Sequence, residues 1–98
     1  MRITNVYLKI LEGKGRLKAA GSITFDDEFV VKDVSVVEGK SGLFISMPSR
    51  KDEEGKYKNV AFPISRELRE HVTENVLAAY RENLDRFKEQ EEEVNADE

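Results

Sequence analysis

Residues 3–11 alternate, with Val6, Leu8 and Ile10 on one side and Asn5, Tyr7 and Lys9 on the other, the period-two pattern of a half-buried strand. Residues 17–25 repeat it: Leu17, Ala19, Gly21, Ile23 and Phe25 share one face, Lys18, Ala20, Ser22 and Thr24 the other. Gly21 inside this strand points to a bulge or a close backbone approach. Residues 29–37 are dense in valine, which packs well on a pleated surface, and predict a central strand. Residues 43–47 form a short apolar run that asks for cover on both faces and stops at Pro48, which has no amide hydrogen for a ladder. Residues 57–61 predict a last short strand, or an extended run into Pro63.

From Ser65 the period changes. Leu68, Val72, Val76, Ala79, Tyr80, Leu84 and Phe87 step by three or four residues, the stripe of one amphipathic helix. Ser65 is its expected N-cap, with Glu67 in the first turn where the dipole favours an anion. Ending at Lys88, such a helix is roughly 36 Å long, more than the width of four strands at about 4.8 Å spacing. It therefore lies along the strands, overhangs the domain, or crosses a sheet widened by a second subunit. Three breaks fit hairpins: Glu12-Gly13-Lys14-Gly15-Arg16, Asp26-Asp27-Glu28 and Glu38-Gly39-Lys40-Ser41-Gly42. The fold class expected is α+β: an antiparallel sheet of four to five strands packed by one long C-terminal helix. Residues 1–88 make the single domain, and residues 89–98, acidic and poor in apolar side chains, read as a disordered tail.

Composition then narrows the chemistry. With 98 residues, no cysteine and one histidine, the chain has no disulfide framework, no thiolate nucleophile and no histidine cluster. No stretch approaches the roughly 20 apolar residues of a membrane helix, so a cytoplasmic protein is expected. The net charge of −4 is unevenly placed: residues 1–64 carry 11 Lys+Arg against 9 Asp+Glu, and residues 65–98 carry 5 against 11. A local positive patch on the N-terminal part is compatible with that balance.

Each candidate for chemistry has a plainer reading. Asp26, Asp27, Glu28 and Asp33 lack the spaced ligands and glycine of a calcium loop and read as turn and edge charges, so no metal is expected. His71 borders the helix stripe and reads as a surface histidine, since nothing supplies a positioned partner or nucleophile. The Gly13/Gly15 pair does not lead from a strand into a helix, which excludes a nucleotide phosphate loop. No enzyme activity, cofactor or small-molecule substrate is expected. The remaining candidate is the charged stretch after Pro48, read as an exposed loop. Arg50 and Lys51 can pair with phosphates, and Arg can read guanine through two parallel hydrogen bonds. Asp52-Glu53-Glu54 weaken an anion site unless they point away, and Lys56, Lys58 and Arg66 follow as secondary candidates.

Several ordered blocks resemble the SpoVG family of small bacterial proteins, named for stage V sporulation and also labelled septation proteins. They are Gly15-Arg16-Leu17-Lys18-Ala19, Asp27-Glu28-Phe29-Val30-Val31, Asp33-Val34, Gly42-Leu43-Phe44-Ile45-Ser46-Met47-Pro48-Ser49-Arg50-Lys51 and Ala61-Phe62-Pro63-Ile64-Ser65. The acidic tail matches in character alone. The resemblance implies a non-enzymatic, homodimeric regulator that binds DNA, and in some members RNA, with links to septation, sporulation and gene regulation. It places the contacts on Arg50 and Lys51. The competing reading is a protein-interaction module of cell division acting through the helix and acidic tail. For a dimer, residues 43–47 are the preferred pairing strand, because a partner would satisfy their two-sided apolar character.

Overall fold

The computed structural model describes residues 1–11, 13 and 15–96, with side chains to residue 88. Four strands, β1 (Ile3–Ile10), β2 (Leu17–Phe25), β3 (Phe29–Gly39) and β4 (Gly42–Ser46), form an antiparallel sheet in chain order. Every connection is a hairpin, as the glycine- and aspartate-rich breaks require. Glu12 and Lys14, in the first of them, lie outside the described residues. The valine-rich β3 is indeed interior, paired with β2 on one side and β4 on the other.

The Asp26-Asp27 turn is built from two aspartates with φ of 53° and 55°, the left-handed pair that a two-residue turn needs to match strand twist. The Glu28 amide donates to the Phe25 carbonyl at 3.0 Å, and the amide of Asp27 donates to Thr4 Oγ1 at 2.9 Å. These carboxylates thus belong to residues that reverse the chain. Asp33, with φ of 61°, is the extra residue where the β2–β3 register slips between Gly21/Val34 and Ser22/Lys32. Short polar side chains tolerate this conformation, and the bulge lets Val31 and Val34 both serve the core. Opposite it, Gly21 stands where any Cβ would overlap the Tyr7 carbonyl oxygen. The close approach expected from the sequence is therefore real.

After Pro48 the structure departs from the expected loop. Ser49–Lys51 is a strand, β5, paired antiparallel with β6 (Tyr57–Asn59) in a separate two-stranded sheet. The last strand expected at residues 57–61 exists, but it does not join the main sheet. Pro48 does end β4, and its carbonyl accepts the Val60 amide at 2.7 Å, closing the base of the new hairpin.

The helix α1 (Arg66–Ala96) begins as predicted: Ser65 Oγ accepts the Leu68 amide at 3.1 Å, and the Ser65 carbonyl accepts the Arg69 amide at 3.0 Å. Its stripe packs on one face of the sheet, burying Val72, Val76 and Tyr80 against Leu8, Ala19, Ile23, Phe25, Val34 and Val36. Burying each of the Val, Leu, Ile and Phe side chains among them contributes on the order of 2 kcal/mol, and the Ala19 methyl about 0.8 kcal/mol. Arg69 and Val72 lie by Ile45 and Met47 at the β4 edge, whereas Asn75, Ala79 and Glu82 lie by residues 3–6 of β1. The first turns of α1 thus sit by the β4 edge and the next by β1, after which the helix overhangs, one of the three arrangements open to it. The longest dimension is 50 Å. The helical backbone extends to Ala96; glutamate, glutamine and alanine are good helix formers, and no glycine or proline interrupts them. Asp97 and Glu98 lie outside the described residues. Among the described residues, no helix is long and apolar enough to cross a membrane.

Candidate nucleic-acid interface

The hairpin β5–β6 owes its shape to Asp52. Its Oδ1 accepts the amides of Glu54 and Lys56, each at 2.9 Å, while its own amide donates to the Lys56 carbonyl at 2.8 Å. Gly55 completes the turn with φ of 84°. An aspartate side chain that mimics a backbone turn in this way fixes five residues by hydrogen bonds rather than by apolar packing. The carboxylate that most directly threatened an anion site therefore faces the turn, where its Oδ2 also meets Lys58 Nζ at 3.5 Å.

On the two strands, side chains alternate. Arg50 stands opposite Lys58 on one side of the ribbon, and Lys51 opposite Tyr57 on the other. Adjacent in sequence, Arg50 and Lys51 thus project to opposite sides, a separation that the expected loop did not carry. Lys51 Nζ lies 5.6 Å from the centre of the Tyr57 ring, which is 70% exposed. A cation held over a tyrosine face keeps its charge available while its long stem is steadied.

The five sequence-named cations separate into two groups. Lys56 reaches Glu54 at 4.0 Å, Lys58 reaches Asp52, and Arg66 pairs with Glu70 one helical turn on at 3.1 Å. Arg50 and Lys51 form no ion pair among the described residues. Exposed pairs of this kind are worth at most about 1 kcal/mol, so Lys56 and Lys58 remain exchangeable toward another anion. Arg66 lies on α1 and outside the hairpin, so the fold does not unite it with the other four on one element. Tyr57 and Asp52 are the members that sequence reasoning missed as parts of this site. The signal for Asp52 was present in the spacing, an aspartate four residues ahead of the lysine whose amide it accepts, with glycine between; Tyr57 is placed only by its pairing with Lys51.

The projecting ribbon follows directly on the apolar β4, and the family model for SpoVG matches residues 1–82, spanning sheet, hairpin and most of the buried helix stripe. The chain belongs to the SpoVG family. Proteins named septation protein SpoVG resemble it at 45% identity in Agathobacter rectalis, over 87% of this chain and 98% of that one. In Heliobacterium modesticaldum the identity is 50%, over 86% and 94%. In Caldanaerobacter subterraneus subsp. tengcongensis it is 49%, over 82% and 88%. The SpoVG match ends at residue 82, so the rest of the overhanging helix lies beyond the segment shared with the family.

Proposed function

We propose that this SpoVG member is a non-enzymatic cytoplasmic regulator, connected with septation and sporulation, that binds DNA, and RNA as a second polymer, through the β5–β6 hairpin. The observation that carries this reading is the pair Arg50 and Lys51, free of ion pairs among the described residues on a ribbon that stands outside the main sheet. A two-stranded ribbon fits the major groove, and cations on both its sides can meet the phosphates of both groove walls. Two cations per chain are few, and a homodimer presenting two hairpins answers that. Exposed Phe62 shares a depression with Phe44, Ile45 and Met47 at the edge strand β4, and this apolar surface, with Val60 and Ile64 exposed nearby in sequence, favours a second copy there.

The test is affinity for labelled duplex DNA and for RNA across a salt series. Four phosphate contacts from a dimer give a slope of log K against log salt of about −3.6 on duplex DNA, and two from a monomer about −1.8. Arg50→Ala with Lys51→Ala should abolish binding at physiological salt while stability stays within about 0.5 kcal/mol, as befits exposed charges. Equal affinity in the double variant would refute the hairpin as the site. Absence of binding to either polymer at low salt, together with a protein partner lost on truncation after Lys88, would favour the interaction-module reading; the overhang of α1 is the feature that supports that alternative.

A further inference from the structure

The sheet face turned away from α1 carries a pattern that the hairpin does not account for. Across three strands runs the row Tyr7, Ser22, Lys32, and beside it the row Lys9, Ala20, Ser35. Tyr7 is 61% exposed although it sits on a regular strand. Because Ala20 and Ser22 are short, the surface sinks between Tyr7, Lys9 and Lys32 into an open depression of about 380 Å³. Lys9 and Lys32 form no ion pairs among the described residues. One carboxylate lines the depression, that of Asp33 at the bulge, so the local balance is one positive charge in a chain of net charge −4.

We propose that this open sheet face is a second nucleic-acid surface, on which Tyr7 stacks a base of a single strand while Lys9 and Lys32 hold the flanking phosphates. An exposed aromatic between cations on a flat, small-residue floor suits a single strand, whose bases are free to stack; paired bases in a duplex are not. A second copy of the chain is the less suitable occupant. Two-fold stacking of this face on itself would bring both copies' Lys9 and Lys32 together with two Asp33 to offset four lysines. Tyr7 and Lys9 lie on β1, three strand spacings, about 14 Å, from β4, whose chain leads into the hairpin, whereas Lys32 lies on β3 next to β4.

The experiment measures binding of the full chain to fluorescent twelve-residue oligo-dT and oligo-U, with a labelled DNA duplex in parallel. Tyr7→Ala should weaken both single strands by about five- to a hundredfold, the range for losing one stacked base, and leave the duplex unchanged. Tyr7→Phe should retain single-strand affinity, and Lys9→Ala with Lys32→Ala should make the single-strand salt slope shallower by about 1.4. Arg50→Ala with Lys51→Ala tests the other surface: whatever it does to duplex binding, single-strand loss in Tyr7→Ala supports the sheet face. No single-strand binding at low salt, unchanged affinity in Tyr7→Ala, or an equal loss on duplex would overturn the proposal. So would dissociation of a dimer by Tyr7→Ala in sedimentation without loss of single-strand affinity, which would make the face a self-interface. Circular dichroism of each variant separates these outcomes from unfolding, and should Tyr7→Ala not fold, Lys9→Ala with Lys32→Ala keeps the test intact, an unchanged single-strand salt slope overturning the proposal.

Discussion

Asp52 does more for the hairpin than any cation in it. Its side chain satisfies two amides and meets Lys58, so the turn loses its main internal tie if the carboxylate is removed. Asp52→Ala should therefore loosen residues 52–56 and lower duplex affinity several-fold, even though it removes a negative charge from beside a polyanion. A purely electrostatic role predicts the opposite sign, tighter binding. Titration of Asp52→Ala and Asp52→Asn against the same duplex decides between them, because asparagine keeps the acceptor oxygen and removes the charge. At this scale the sequence was legible wherever one residue type has one physical use. Ser65 as a helix cap, Gly21 as a close approach and the aspartates of residues 26–27 as a chain reversal all follow from local chemistry.

Among the elements, β1 to β4 and α1 were legible because each carries a periodic apolar face that has to be buried. The strand Ser49–Lys51 was not, since its three residues are polar and its partner is held by a turn instead of by packing. Its pairing sets the geometry of the candidate site: in a loop Arg50 and Lys51 would be neighbours, whereas on a strand they divide between two sides. The same logic makes the β1–β2 pair sensitive at one point. Gly21→Ala places a methyl group on the Tyr7 carbonyl, where the obstacle is backbone and cannot swing aside. A loss of roughly 2–4 kcal/mol is expected, the scale of severe overpacking combined with broken strand pairing. Urea denaturation with an unchanged m-value is the check, and a loss under about 0.5 kcal/mol would mean that the strands separate there at little cost.

For the whole molecule, charge is segregated along the chain. Residues 89–98 contain six carboxylates and no Lys or Arg, which leaves residues 1–88 with 16 cationic against 14 anionic side chains. The body is thus weakly positive and its C-terminal end strongly negative. Removing residues 89–98 should raise the rate of association with DNA at low salt, with the gain shrinking as the Debye length falls below about 8 Å. Stopped-flow mixing at two ionic strengths measures it; an unchanged rate would mean that the negative end stays far from the approaching polymer. That the helix crosses from the β4 edge to the β1 edge was not readable in the sequence, because periodicity fixes which helix face is buried and leaves its direction over the sheet open.

If the ribbon holds a polyanion as proposed, the placement of Arg50 directly opposite Lys58, itself paired with Asp52, couples folding to occupancy. Like charges facing each other across a ladder oppose the pairing, and a hairpin of two short strands is marginal in water by itself. A polyanion lying on that side screens the repulsion, so it binds the paired form better than the open one. By linkage, ligand at a hundred times its dissociation constant adds about 2.7 kcal/mol to whichever form it prefers. On the proposed reading the ribbon is stiffened by what it holds: the turn end is already tied by Asp52, and bound phosphate would add to the offset that the Asp52–Lys58 pair gives the Arg50–Lys58 repulsion.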